Sequence, residues 1–425
     1  MTVAKLGGSR LAGSVLAPPS KSYTHRFLLA AHLSGRPASV RRPLVSDDTL
    51  RTARALEVLG SRVTRGRSAW RLAPRPVGRR SASRTIDCGE SGTTLRLITA
   101  IAALHDGPTR FVGSGRLPRR PMRPLWTALE RLGASVEPPA GNGALPFRIV
   151  GPIHGGRTVV AAGASSQFTS ALLFALPTVR ESSWVGRSGR PVSEPYVRAT
   201  LEVLARSGVE VRPLRGGYQV PGGQTFRPLR EPVPGDASSA AYLWAAAALT
   251  GGTVTVRGIP RVWPQADLAV LDLLRSAGAA VRWAGDRATV RAGERRPFRA
   301  ELTDSPDLYP LAGVLAAATP GRSELRGAEH VVLKESDRRA ETVRLVRAMG
   351  ASARLTPRGL HVEGVERPRG FRLRGVTDHR LVMSAAVAAV AARGTSEISD
   401  AAAVSKSFPG FFGALRTLGA EVTLR

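Results

Sequence analysis

A short segment recurs six times along the 425-residue chain at an almost constant interval. Each copy is an apolar helical stripe that closes on a glycine: Ala55 to Gly60, Ala128 to Gly133, Leu201 to Gly208, Leu271 to Gly278, Leu345 to Gly350 and Ala414 to Gly419. Leucine or methionine at i, i+3 and i+4 marks one helical face, and the terminal glycine supplies the left-handed residue that ends a helix. Successive glycines stand 73, 75, 70, 72 and 69 residues apart. Five copies carry a second marker upstream, an Ala-rich helix closing at Gly35, Gly107, Gly252, Gly321 or Gly394 before a strand-like run; the third has Arg180-Glu181-Ser182 there. A unit this long, with two helices and several short strands, is too large for a common solenoid repeat. Charge and proline gather from Arg227 to Pro234, after the third copy, so the expected division is three units plus three. The Arg- and Pro-rich stretch Arg62 to Arg84 reads as a solvated connection inside the first unit.

Length alone suggests about three domains. Composition permits large cores, with 43% hydrophobic and 22% charged residues, and excludes a disordered polyelectrolyte. The net charge of +30 is the anomaly. Of 62 basic residues only Lys5, Lys21, Lys334 and Lys406 are lysine, which leaves 58 arginines, and asparagine occurs once, at Asn142. Coding drift of surface lysine into arginine explains such a bias; the sharper reading is a polyanionic partner, either nucleic acid, an acidic membrane or small multiply charged substrates. One cysteine, Cys88, excludes an internal disulfide framework and a multi-cysteine zinc site, which fits a reducing compartment. Met1 to Val15 lacks the apolar core of a signal peptide, and no apolar run approaches the ~20 residues of a membrane span. The expectation is a cytoplasmic protein.

Polar motifs precede the Ala- and Leu-rich helices in step with the repeat: Lys21-Ser22, Gly89 to Thr94, Ser165-Ser166-Gln167, Asp236 to Ser239, Pro306-Asp307 and Asp378-His379-Arg380. Helix N-termini expose unpaired N–H groups and favour anions, although each Ser or Asp taken singly is an ordinary N-cap. If like ends pack together, the starts converge on an anion-attracting face. Three of the four lysines fall in polar motifs, where a compact point charge or a titratable proton donor does what a guanidinium cannot. Lys5 reads as an exposed terminal residue. Lys334-Glu335-x-Asp337-Arg338 taken alone reads equally well as an intrahelical ion-pair cluster.

Read in order, eleven motifs spread over essentially the whole chain resemble the 5-enolpyruvylshikimate-3-phosphate synthase (3-phosphoshikimate 1-carboxyvinyltransferase) family. They are Pro19-Ser-Lys-Ser22 with Arg26, Ser46-Asp-Asp48, Gly89-x-Ser-Gly-Thr93 with Arg96, Arg116-x-x-x-Arg120-Pro121, Ser165-Ser-Gln167, Pro195-Tyr196, Gly235-Asp-Ala-Ser-Ser239, Pro306-Asp307, Lys334-Glu-Ser-Asp-Arg338, Asp378-His-Arg380 and Lys406-Ser-Phe-Pro409. The resemblance implies an α/β fold, a two-domain inside-out α/β barrel of six βαβαββ repeats, three per domain. One domain would hold residues 18–232 and the other residues 1–17 with 233–425. It implies a transfer of the enolpyruvyl group of phosphoenolpyruvate to the 5-hydroxyl of shikimate 3-phosphate, with release of phosphate and no metal or organic cofactor. Each substrate carries a phosphate and a carboxylate, so the site must gather several negative charges before chemistry starts.

The resemblance also implies roles. Lys21, Ser22 and Arg26 would meet shikimate 3-phosphate, with Ser165, Ser166, Gln167, Ser193 and Tyr196, and with Asp307, His330 and Lys334 from the second half. Lys21, Gly92, Arg120, Gln167, Arg338, Arg380 and Lys406 would clamp phosphoenolpyruvate. Asp307 would accept the 5-hydroxyl proton, Glu335 would protonate the methylene carbon, and Lys21 would serve both substrates. A carboxyl among cations holds a proton only where it is partly desolvated, which is the expectation for Glu335. Departures from the family pattern are Glu90 for Asn, Leu97 for Pro, His330 for Asn and Thr24-His25 for Ser-Asn. They bear on affinity. Room beside Gly92 leads to the expectation that glyphosate competes with phosphoenolpyruvate.

Other readings make different demands. The sister transferase acting on UDP-N-acetylglucosamine carries a reactive Cys in the loop corresponding to Gly113 to Arg120, which here has none; Cys88 reads as a buried small hydrophobe. A nucleic-acid-binding protein is the reading that +30 suggests, but aromatics are 5% and no zinc-finger spacing or RNA-binding sheet signature is present. A duplicate serving a specialised pathway with a shikimate-like substrate fits the same motifs. The expected partners are the two small substrates, with no specific nucleic acid and no membrane, and the expected state is a monomer.

Overall fold

The computed structural model describes residues 2–75, 83–141, 143–357 and 359–425. The chain divides into two compact units: Pro19–Val233, and Met1–Pro18 together with Pro234–Arg425. The first holds helices α1 (Lys21–Leu33), α2 (Asp47–Val58), α3 (Gly92–Ala102), α4 (Arg123–Glu130), α5 (Gln167–Ala175) and α6 (Glu194–Arg206). The second holds α7 (Ala237–Leu249), α8 (Ala269–Ser276), α9 (Tyr309–Ala317), α10 (Arg338–Ala348), α11 (His379–Ala391) and α12 (Phe411–Thr417).

One sheet pattern recurs. In the second repeat, strand Arg84–Asp87 leads through α3 to a parallel partner, Gly107–Val112, and α4 then leads into the antiparallel hairpin of Ser135–Glu137 and Phe147–Gly151. This is a βαβαββ unit. The third and fifth repeats follow the same order within their own sequence. The fourth borrows its leading strand: Ala12–Leu16 pairs in parallel with Thr253–Arg257. In the sixth, Ala4–Gly7 lies antiparallel between Thr395–Ile398 and Val422–Leu424. The first repeat has a three-stranded sheet, and a parallel bridge from Pro232 to Arg41 occupies the leading-strand position.

The six repeat glycines all adopt left-handed backbone, with φ of +101°, +102°, +75°, +99°, +92° and +100° at Gly60, Gly133, Gly208, Gly278, Gly350 and Gly419. Two readings need correction. Before the fourth repeat's strand the left-handed residue is Gly251, not Gly252, whose Cα instead packs against the carbonyl of Leu11. Arg62 to Arg84 is not simply a solvated connection. Ser61–Arg65 and Ala69–Pro74 form a hairpin that buries Trp70, because alternate residues of the second strand face the core. The remainder, 76–82, lies outside the described residues.

Helices differ by layer. α7, α9 and α11 are buried almost all round and pack on one another, as their Ala-rich sequences allow. α4 and α8 are amphipathic and bury one stripe, Leu125, Trp126 and Leu129 in the first case and Val270, Leu271 and Leu274 in the second. Strands such as Thr253–Arg257 and Arg287–Arg291 alternate buried and exposed residues. Helices therefore lie inside each unit and half-solvated sheets outside, an inside-out α/β arrangement. The largest inner side chain, Trp244, donates from its indole nitrogen to the Ala288 carbonyl at 3.0 Å, so its burial leaves no orphaned donor. The polar motifs of the sequence open the inner helices. Among the described residues, no helix is long and apolar enough to cross a membrane.

Candidate active site

In the unit Pro19–Val233, Ser20 caps α1, so Lys21 and Ser22 lie in its first turn rather than ahead of it. Lys21 Nζ stands 3.0 Å from Asp48 Oδ2, and both side chains are largely buried. Asp48 is held in the first turn of α2 by a capping box of Ser46 and Thr49. One turn beyond Ser22, Arg26 is 3% exposed and donates from Nε to Thr200 Oγ1 at 2.9 Å, from Nη1 to Ser22 Oγ at 2.6 Å and from Nη2 to the Tyr196 carbonyl at 2.8 Å. Burial pushes its guanidinium down to about 10, which leaves it charged at neutral pH. Beside Lys21, the buried His25 shares a hydrogen bond with Thr52 Oγ1 at 2.7 Å, Thr52 continues to Thr94 at 2.8 Å, and Thr94 donates to the Asp48 carbonyl at 3.1 Å. Burial drives His25 down to about 3, so it is a neutral member of this chain.

Ser91 caps α3, placing Gly92 at its first position. A Cβ on Gly92 would come within 2.5 Å of Arg120 Nη1, so glycine is what lets this guanidinium lie across the helix start. Gln167, first residue of α5, donates from Nε2 to Thr93 Oγ1 at 2.9 Å and accepts at Oε1 from Arg96 Nη1 at 2.8 Å. Arg96 also reaches Ser165 Oγ at 3.4 Å and lies 5.1 Å from the centre of the Phe168 ring. The starts of α3 and α5 are thereby locked together. Ser166 is buried, and Ser193 takes a left-handed conformation, φ +57°, at the start of α6.

The other unit builds its cluster around Asp307, which precedes α9. Arg338, 1% exposed, donates from Nη1 to Asp307 Oδ1 at 2.7 Å, from Nε to Asp378 Oδ2 at 2.8 Å and from Nη2 to Glu335 Oε2 at 2.9 Å. Arg380 Nη2 reaches Asp307 Oδ2 at 3.0 Å, and Lys334 Nζ lies 3.8 Å from Oδ1. One carboxylate thus faces three cations. Burial opposes the charge on both arginines, but Asp378, Asp307 and Glu335 around Arg338, and Asp307 foremost around Arg380, outweigh it and hold each guanidinium well above its ordinary range. Asp378, fully buried, also caps α11 by accepting from the Arg380 N–H at 2.9 Å. Burial, then the charge of Lys334, pushes His330 down to about 4, so it stands neutral beside the cluster. Lys406 ends the short turn Ala401–Lys406 and is half-buried.

Within each unit the helix starts do converge. Lys21, Ser22 and Arg26 form one group, Gly92, Arg120, Ser165 and Gln167 a second, and Asp307, Lys334, Glu335, Arg338 and Arg380 a third. The intrahelical reading of Lys334 to Arg338 is overturned: α10 begins at Arg338 with Asp337 as its cap, and Lys334 and Glu335 lie on the loop before it. Cys88 is fully buried, and burial raises its thiol out of the reactive range. Asp48, Arg96 and Asp378 stand in the sequence motifs with no role attached, yet each holds a candidate in place. Arg96 had a local signal, because four residues from Gly92 put it one turn along the same helical face.

Comparison with known proteins follows the same lines. A family model described as EPSP synthase (3-phosphoshikimate 1-carboxyvinyltransferase) matches residues 6–415. A protein named 3-phosphoshikimate 1-carboxyvinyltransferase from Methanocorpusculum labreanum is 38% identical over 420 residues, 97% of this chain and 98% of that one. One of the same name from Halobacterium salinarum is 41% identical over 428 residues, 98% and 99% of the two chains. Among solved structures, an EPSP synthase from Acinetobacter baumannii matches with a TM-score of 0.81 at 22% identity, covering 100% of both chains. The enolpyruvyl transferase NikO from Streptomyces tendae matches with a TM-score of 0.81 at 16% identity, covering 100% of this chain and 99% of its own. These two structural likenesses speak for the fold alone.

Proposed function

We infer the reaction from one premise, that the chain belongs to the EPSP synthase (3-phosphoshikimate 1-carboxyvinyltransferase) family: it transfers the enolpyruvyl group of phosphoenolpyruvate to the 5-hydroxyl of shikimate 3-phosphate and releases phosphate. The observation that carries the chemistry is Asp307, a carboxylate held between the buried guanidinium groups of Arg338 and Arg380 with Lys334 beside it. Cations packed this densely gather substrate anions, and the carboxylate among them is oriented to take a proton.

In this reading the 5-hydroxyl oxygen attacks the second carbon of phosphoenolpyruvate and gives its proton to Asp307, while Glu335 delivers a proton to the methylene carbon. The resulting tetrahedral ketal collapses. Its methyl carbon returns a proton to Glu335, the carbon–oxygen bond to phosphate breaks, the departing phosphate takes the proton held by Asp307, and the enol ether and phosphate leave. Glu335 lies against Arg338 at 2.9 Å and is largely buried, a setting in which substrate charge arriving nearby favours its protonated form.

Arg380 is the stronger candidate for holding phosphoenolpyruvate, because its Nε and Nη1 are buried and meet no carboxylate or carbonyl at hydrogen-bonding geometry among the described residues, the Tyr242 hydroxyl being the polar neighbour that acts on the guanidinium by charge and hydrogen bonding. Arg338 already gives four of its five N–H donors to three carboxylates, so its part is to hold Asp307 and Glu335 and to add charge. Lys406 and Arg120 supply further cations, and Lys21 serves both substrates. Arg26 fixes Ser22 and the Tyr196 backbone, so that Ser22, Tyr196, Ser165, Ser166, Gln167 and Ser193 present hydroxyl and amide groups to shikimate 3-phosphate, with His330 adding a neutral donor. We read the protein as a cytoplasmic monomer needing no cofactor for this chemistry.

The test is phosphate release from phosphoenolpyruvate with and without shikimate 3-phosphate. Release that requires both substrates is expected; release indifferent to the second substrate, or none, overturns the reading.

A further inference from the structure

One buried carboxyl outside the assigned groups stands against the Asp307 cluster. Asp267 lies on a single 3-10 turn, Ala266–Leu268, and is 1% exposed. Four hydrogen bonds fasten this segment to its neighbours. Ser238 Oγ, at the start of α7, donates to Asp267 Oδ2. Gln265 accepts from the Ala237 N–H and donates to the Gly235 carbonyl, both at 2.9 Å. Ser305 Oγ, two residues before Asp307, donates to the Ala266 carbonyl at 2.8 Å. The turn therefore ties the start of α7 to the segment that carries Asp307. The charged groups acting on Asp267 are Asp307 ahead of α9, Arg380 from α11 and Asp236 at the cap of α7. Arg380 in turn feels Asp307 and Asp267 together.

We propose that Asp267 is a positioning residue for proton transfer at Asp307, fixing the turn that carries Asp307 and, when ionised, making Asp307 the readier proton acceptor. The proposal rests on Asp307 as the base of the reaction above. Asp267 itself makes and breaks no bond to substrate; the proton passes from the 5-hydroxyl oxygen to Asp307 as the new carbon–oxygen bond forms. Asp267 and Asp307 both act electrostatically on Arg380 and on each other, and coupled like charges favour a proton on one of them. Burial, then the charge of Asp307, pushes Asp267 up to about 6, against the pull of Arg380 and the Ser238 hydroxyl. At neutral pH Asp267 is charged and favours uptake of the hydroxyl proton by Asp307. Below its titration that assistance is lost.

The experiment is kcat for phosphate release against pH, with both substrates saturating, for the wild type, Asp267→Asn and Ser238→Ala. The wild type is expected to lose turnover through a limb near 6. Asp267→Asn should lack that limb and turn over about tenfold more slowly at neutral pH, with both KM values held within about twofold. Ser238→Ala removes a hydrogen bond that favours the charged carboxyl, so its limb should move to higher pH. A folded Asp267→Asn enzyme that keeps the limb, or that matches wild-type kcat at neutral pH, overturns the proposal. Should that variant fail to fold, an unmoved limb in Ser238→Ala overturns it equally. A wild type with no acceptor-dependent phosphate release strikes instead at the functional reading.

Discussion

At the residue scale, a side chain matters here for geometry as much as for charge. Lys21 presents a compact ammonium to Asp48 at 3.0 Å, and a planar guanidinium is longer and binds with a fixed fork. Lys21→Arg should therefore keep its thermal midpoint while kcat falls roughly a hundredfold, the scale of a misplaced charge or proton donor at the reacting centre. Turnover near that of the wild type would show that the scarcity of lysine marked nothing. Gly92→Ala tests the opposite limit, an added methyl with no added charge. Its Cβ must displace the Arg120 guanidinium, so the KM for phosphoenolpyruvate should rise about tenfold with a much smaller change for shikimate 3-phosphate. An unchanged KM would remove Arg120 from that site. Sequence order made Lys21, Asp307 and Arg338 legible because they sit in contiguous motifs. Asp267 was not, since its place comes from Ser238, 29 residues away in the chain, and Asp48 stood in a motif whose role comes only from Lys21, 27 residues away.

At the element scale, the helix starts couple secondary structure to chemistry. Asp378 caps α11 and is also the main counter-charge of the buried Arg338. Asp378→Ala should lower unfolding free energy by about 1 kcal/mol for the cap and by a further amount below the ~3–5 kcal/mol of a wholly unpaired buried charge, because Asp307 and Glu335 still face Arg338, read from urea unfolding. A loss near the cap value alone would mean that Asp307 and Glu335 suffice to hold the Arg338 charge. On α1, His25 folds with a pKa of about 3 against an ordinary value of 6.5. The unfolded chain alone binds that proton between these limits. Stability is thus fully present above 6.5 and is lost as pH falls toward 3, with a slope of up to ~1.4 kcal/mol per pH unit for one proton. His25→Asn should flatten the dependence of the urea midpoint between about pH 6.5 and 5, above the range where most carboxylates titrate; an identical slope would contradict it. The period of 69 to 75 residues made the two helices of each unit readable from sequence. Strand exchange was less readable, because pairing of Ala12–Leu16 with Thr253–Arg257 leaves no local periodic signal.

At the scale of the whole molecule, the charge of +30 divides into a few buried cations at the helix starts and a large solvated remainder. Any sticking of that remainder to nucleic acid should vanish with modest salt while turnover persists. The architecture also sets which pieces can stand alone. Pro19–Val233 is continuous, whereas the other unit takes Ala4–Gly7 and Ala12–Leu16 into two of its sheets. A fragment of residues 19–233 should give a cooperative melt by circular dichroism, and one of residues 234–425 should not until a peptide of residues 1–18 is added. A cooperative melt of 234–425 alone would refute this.

The same exchange orders events during synthesis. Ala4–Leu16 leaves the ribosome ahead of the helices of both units, but the strand that receives Ala12–Leu16 begins at Thr253 and the pair that encloses Ala4–Gly7 comes from Thr395–Ile398 and Val422–Leu424. The opening segment must therefore wait as an unpaired edge while the whole of Pro19–Val233 emerges and closes behind it. Its last partner, Val422–Leu424, emerges after every other strand of both units among the described residues. The second unit is therefore complete only once Val422–Leu424 has emerged, and a ribosome that stalls before Thr253 leaves a folded first unit trailing two unsatisfied strands.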